Sequence, residues 1–450
     1  MNKKESAGTM NMIKGQPVKL LLLFALPLMF GNIFQQAYTV VDTAIVGRGV
    51  SMQALAALGS VDWLNWMLFS IAQGFCQGIS ILVSQKYGEG DHAAISKIVG
   101  EGALLTILIT LGLTFTGIFG LPLFLRLMKT PEVLRPMARL YSSILFGGFA
   151  AAAFYNFTAS MLRAEGDSRT PLLAMVTASI LNIGLDALAV FVLKWGIAGA
   201  AGATVFSQFT AGIICTVKMR KIPELRFRLS DLRLTRSITP ELLRLSLPVS
   251  LMNMIISIGG IIVQSVVNTF GVNFIAGYTA TNKLYGLLEI AAVSYGYAVT
   301  TYVGQNFGAS DAPRIKSGVR SAVILSFVTA SVIGGLMILF GRPILSMFLK
   351  PDSAESFEEA MNAAYTFLRY MAAFLPILYL LYAYRSALQG MGYTRSTMVS
   401  GIIEFIMRVG LAFIVMFTRF SHGLFIAEIA AWAGAAVFLA ACYYYRRARL

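Results

Sequence analysis

The feature that most constrains this chain is the recurrence of apolar runs long enough to cross a bilayer. A spanning helix needs about 20 mostly apolar residues. Twelve such runs fit, at 18–47, 54–83, 98–121, 140–162, 171–193, 197–217, 245–270, 275–303, 319–340, 364–388, 397–417 and 424–445. Hydrocarbon offers no water to the backbone, so runs of this length must close their own hydrogen bonds as helices. The connections leave no room for a sizeable soluble domain. The expected fold class is an all-α membrane protein with twelve transmembrane helices. With that topology, roughly two-thirds of the 36 lysines and arginines fall on the side of the N-terminus, densest between 218 and 244. This asymmetry follows the positive-inside rule and places both termini in the cytoplasm. It accounts for the net charge of +15 without any nucleic-acid partner.

The chain also repeats itself. Ala25-Leu26-Pro27 near the start of the first run corresponds to Ser246-Leu247-Pro248 near the start of the seventh, and Asn32 to Asn253. Gln85, Gly88 and Asp91 match Gln305, Gly308 and Asp311, and Gly166 and Arg169 match Gly392 and Arg395. Six helices per half is an even number. The halves therefore share one orientation and form two lobes related by a pseudo-two-fold axis along the membrane normal. The expected division is an N-terminal lobe at 1–219, a basic linker at 220–242 and a C-terminal lobe at 243–450. The linker interleaves Leu225, Phe227, Leu229, Leu232 and Leu234 with arginines. It reads either as a solvated loop or as a segment lying on the anionic inner leaflet. Residues up to Lys14 read as loosely ordered. The acidic run Asp352, Glu355, Glu358 and Glu359 reads as a solvated helix start on the outer side.

Polar residues inside the runs point to function, because an Asp at the centre of a spanning helix costs about 2.5–3.5 kcal/mol on insertion scales. In the first run Asn32, Gln35, Gln36, Thr39, Asp42 and Thr43 share one helical arc. Pro27 frees the carbonyl of Leu23 and is expected to kink that helix. Asn182 and Asp186, at i,i+4, lie on one face of the fifth run, and Thr204, Ser207 and Gln208 add neutral oxygens from the sixth. Two carboxylates sharing a buried site can hold a proton, or Na⁺ through hard oxygen ligands. The second half has Val263 where the first has Asp42. It offers instead Glu404 and Arg408 at i,i+4, read as an internal ion pair. Glu289 reads as functional, or as capped or paired with Lys283. Asp62 beside Trp63 and Trp66 reads as an interfacial anchor. Cys76, Cys215 and Cys442 form no disulfide or metal spacing. His92 and His422 form no cluster, so a membrane-embedded enzyme lacks its nucleophile–base pair or metal.

Helix one, QQAYTVVDTAIVGR (Gln35 to Arg48), resembles the multidrug and toxic compound extrusion (MATE) family, as do LRAEGDSRTP (Leu162 to Pro171), LNIGLDALAV (Leu181 to Val190) and GIAGAAGATVFSQ (Gly196 to Gln208). The resemblance spans both halves and favours the DinF-like branch. It implies a secondary active antiporter, not an enzyme, that exports cationic or amphipathic drugs in exchange for H⁺ or Na⁺ by alternating access. It implies a coupling site at Asp42, Asn182, Asp186 and Thr204, with Ala200 as a backbone ligand. The cavity positions it implies are Gln36, Tyr38 and Asn156. The acids that the NorM-like branch carries in its seventh and tenth helices are missing here. The expected partners are small-molecule substrates and membrane lipids, with no cofactor. The expected state is a monomer in the plasma (inner) membrane of a prokaryote. A flippase for a lipid-linked saccharide is the alternative. It would need several cavity cations for a pyrophosphate, and of the candidates only Arg408 lies deep in a run.

Overall fold

The structure, a computed structural model, describes residues 9–128, 130–349, 354–418 and 420–449; Asp352 of the acidic run lies outside them, as do residues 1–8. Among the described residues there are helices and no strands. They are α1 (Pro17–Gly49), α2 (Met52–Glu89), α3 (His92–Leu127), α4 (Arg135–Gly147), α5 (Phe149–Ala164), α6 (Arg169–Ala187), α7 (Gly196–Met219), α8 (Thr239–Val267), α9 (Val272–Gly308), α10 (Ala312–Ser346), α11 (Ala354–Gly390), α12 (Thr394–Thr418) and α13 (His422–Arg447). Among the described residues ten are long and apolar enough to span a membrane, and α4 with α5, bent by 44°, make an eleventh when the pair is counted as one span. The 37-residue α9 is long enough to span but less apolar, and is not among them. The bend sits at Gly148, where a Cβ would lie 2.3 Å from the Val205 side chain on α7. Only a glycine lets the two helices meet there.

The repeated residues share local jobs. Asp91 caps α3 by accepting from the Ala94 amide at 3.1 Å, and Asp311 caps α10 through the Arg314 amide at 3.0 Å. Each removes an orphan donor from a helix start. Gly166 and Gly392 both hold a positive φ, at 92° and 81°, in the turns that lead into α6 and α12.

The chain forms two compact units. The first comprises residues 1–12 and 26–250. Its core runs from Phe75, Ile79 and Leu82 on α2 to Phe157 and Met161 on α5 and Cys215 on α7. The second comprises residues 13–25 and 251–450. There Tyr278, Phe367 and Phe425 stack with centroids 4.8 and 4.6 Å apart. The Tyr379 hydroxyl donates to the Leu288 carbonyl at 2.7 Å, and that of Thr281 to Ala364 at 2.9 Å, tying α9 to α11.

These boundaries differ from the 1–219, 220–242 and 243–450 division. Residues 220–250 belong to the first unit because the linker packs on it. Leu225 is fully buried and Ile222 nearly so. The buried Glu101 carboxylate on α3 accepts the Thr235 amide at 3.0 Å, its hydroxyl at 2.8 Å, and the Thr239 hydroxyl. A buried carboxylate holding three donors fixes the segment, while outer side chains such as Leu229, 85% exposed, stay free of the unit. Residues 9–12, within the described part of the N-terminus, are likewise placed rather than loose. Met12 is fully buried, and the Met10 amide donates to the Gly166 carbonyl at 3.0 Å.

Candidate cation-coupling site

In the first unit α1, α6 and α7 bring together the polar groups read from sequence. Asp186 is fully buried, Asn182 is 1% exposed and Asp42 8%. The Asp42 and Asp186 carboxyl groups are close enough to interact, without a hydrogen bond joining them. The Asn182 amide donates to the Thr204 hydroxyl at 3.4 Å, which donates to the Ala200 carbonyl at 3.2 Å. Tyr38, Ala178, Asn182, Thr204, Ser207 and Gln208 line one small void. Asp42 Oδ1, both Asp186 oxygens, Asn182 Oδ1 and Ser207 Oγ are buried with no hydrogen-bond partner. Buried polar groups are nearly always satisfied. Unsatisfied oxygens on three helices of one unit are therefore a cluster short of positive charge.

Two further residues of the expected set stand apart. Gln36 is half-buried on α1, and the Asn156 amide donates to its own helix at Ala152, 2.9 Å away. Neither lines the void. Pro27 lies inside α1, which continues as one helix to Gly49.

One feature escaped sequence reasoning. Directly after α6, residues Leu188–Val192 form a π-helix, with the Leu193 amide donating to the Leu188 carbonyl at 2.9 Å. Such turns concentrate at functional sites, and this one starts two residues after Asp186. DALAVFVLK contains no proline or glycine that would announce it.

The second unit corrects the expected pair of Glu404 with Arg408. Glu404 instead takes the guanidinium of Arg385 on α11. Arg408 reaches Glu428 on α13 at 2.9 Å. Residues at i,i+4 are neighbours on a helix surface, but both side chains point into a packed interior where other helices offer partners. Arg385 is 5% exposed inside α11. Glu289 on α9 accepts from the Tyr382 hydroxyl at 2.5 Å, and Lys283 is exposed. Asp62 and Trp66 are exposed on α2.

The family model described as MatE matches residues 27–188 and 248–414, in two segments that begin on the repeated prolines. The chain belongs to the MATE family. This MATE chain is 29% identical over 395 residues to the probable multidrug resistance protein YpnP of Bacillus subtilis, covering 87% of this chain and 86% of that one. It is 33% identical over 338 residues to the probable multidrug resistance protein YoeA of the same organism, covering 73% and 72%. Among solved structures, it is similar to a multidrug resistance MATE family transporter in an outward-facing conformation, with a TM-score of 0.88, 24% identity and 99% of both chains covered. The chain is thus an integral membrane transporter of the twelve-helix, two-lobe MATE fold.

Proposed function

We propose that this MATE chain is a secondary active antiporter that exports cationic or amphipathic drugs in exchange for H⁺ or Na⁺. The observation that carries this reading is the set of unpartnered buried oxygens at Asp42, Asp186, Asn182 and Ser207. Two facing carboxyl groups resist joint ionisation, and a bound cation relieves that conflict. A proton would be shared between the two acids. Na⁺ would take oxygens from Asp42, Asp186, Asn182 and Thr204, with the Ala200 carbonyl released from the Thr204 hydroxyl.

In either case, binding the ion removes negative charge from the lobe and weakens its hold on a cationic drug, which leaves outward. Tyr38 links the ion site to the cavity side through the void it lines, with Gln36 and Asn156 as further cavity residues. Pro27 is the hinge about which α1 bends. Alternating access then returns the emptied protein to the cytoplasmic side. This reading includes a monomer in a prokaryotic plasma membrane with both termini cytoplasmic. The names of the two Bacillus relatives support drugs as the cargo. Pairing of Arg385 and Arg408 with glutamates speaks against a pyrophosphate-binding flippase.

The test is drug export in proteoliposomes with pH and Na⁺ gradients imposed separately, for the native protein and Asp42→Asn. One gradient drives export by the native protein, and the variant falls to background under both. Undiminished export by well-folded Asp42→Asn overturns the assignment.

A further inference from the structure

At the cytoplasmic end of the first unit, outside the membrane spans, lies a buried acid that the coupling site does not use. Glu165 follows the last turn of α5 and is 2% exposed. Its Oε1 is buried with no hydrogen-bond partner, and so is the Ser168 hydroxyl three residues on. The internal repeat shows that the fold does not require an acid here. Aligning Gly166 with Gly392 places Glu165 opposite Met391, an apolar side chain of similar length that is 3% exposed. The same turn is therefore built with a side chain that carries no desolvation cost.

Among the described residues, burial and the like charge of Glu224 are what act on the Glu165 carboxyl. On its own helix, Arg163 donates to the Ser160 hydroxyl at 2.8 Å. In the turn, Asp167 accepts the Arg169 and Thr170 amides at 3.0 and 2.9 Å. The end of α2 packs here through the Ser84 hydroxyl, which donates to the Ala164 carbonyl at 3.4 Å, and its nearby Lys86 is paired with Glu89 at 2.7 Å. From the linker comes Glu224, a like charge, whose Oε1 lies 3.8 Å from His92 Nδ1 on α3. The N-terminal residues 9–12 contribute no ionisable side chain. Burial, with Glu224 adding repulsion, pushes the Glu165 carboxyl up to about 8.

The adjoining Gly166 is where residues 9–12 dock. Its carbonyl accepts the Met10 amide, and a Cβ on it would lie 2.0 Å from the Met10 carbonyl oxygen. We infer that Glu165 is a proton-binding site, separate from the coupling site, whose proton holds residues 9–12 docked against the Gly166 turn. An ionised carboxylate demands water that this buried position excludes, so ionisation favours release of the strap held at the adjoining Gly166. The sign follows from linkage: a carboxyl pushed up to about 8 when docked, and ordinary when released, binds more protons in the docked state. Docking is strongest at low pH and weakens as pH rises to about 8.

The test is hydrogen exchange at the Met10 amide in the full-length protein, corrected for the intrinsic pH dependence of exchange. It requires no transport, so it stands or falls independently of the antiport reading. Protection in the native protein falls about tenfold or more between about pH 6.5 and pH 9. Glu165→Gln and the repeat-mimicking Glu165→Met keep high protection across that range, and Glu224→Gln reduces the fall. Protection independent of pH in the native protein, or an unchanged fall in both Glu165 variants, overturns the inference.

Discussion

At the scale of single residues, the two units handle buried charge in opposite ways. In the first, Asp42 and Asp186 face each other with oxygens left unpartnered. In the second, each buried arginine has its own glutamate. We read those pairs as structural, a reading that can be tested. Removing one partner of a buried pair typically costs about 3–5 kcal/mol, because the other charge is left uncompensated, whereas an apolar replacement of both is often neutral. Glu428→Gln should therefore lower the thermal unfolding midpoint in detergent markedly, and Arg408→Met with Glu428→Leu should recover most of the loss. A double variant as unstable as the single one would show that the charges serve more than each other. The acids of the first unit should behave differently. Asp42→Asn removes a repulsion and should leave the midpoint unchanged or higher while export is lost.

At the scale of elements, glycines and helix interruptions decide which helices meet. Gly148 sits under the Val205 side chain at the bend between α4 and α5. Overpacking a filled contact typically costs about 1–3 kcal/mol. Gly148→Ala should lower the unfolding midpoint by that mechanism, and Val205→Ala in the same chain should restore much of it, a non-additivity that a double-mutant cycle measures. Here the sequence was partly legible. The span at 140–162 was read as one helix because periodicity does not report a 44° bend. Asn182 and Asp186 were placed on one face correctly, since i,i+4 spacing is a local property. The π-turn after Asp186 was hidden because its five residues, LAVFV, include no glycine or proline to announce it. The partners Arg385 and Glu428 were missed because pairing was sought within one helix, and these residues are supplied by others. The repeat marks at Asp91 and Asp311 and at Gly166 and Gly392, by contrast, were legible, because helix caps and left-handed turns impose their residue types locally.

At the scale of the whole molecule, the chain leaves one unit and enters the other in the middle of helices. Residues 17–25 of α1 belong to the second unit and those from 26 to the first; in α8 the change comes between Ser250 and Leu251. Both changes lie within three residues of the repeated prolines, Pro27 and Pro248. A proline inside a helix leaves a carbonyl without its amide and clashes with the preceding turn, so the helix bends there more readily than elsewhere. Two continuous helices that change unit beside such points can let the units move without breaking the chain's secondary structure. Replacing either proline by alanine restores a backbone donor and stiffens one connection, and replacing both stiffens each connection between the units that runs through a helix. In proteoliposomes Pro27→Ala and Pro248→Ala should each lower the turnover rate of drug export, and the double variant should lower it further. Equilibrium binding of the same drug to the purified protein should stay near the native value, because neither proline lines the ion site. A loss of affinity with unchanged turnover would place the prolines in recognition and remove the hinge from the transport cycle.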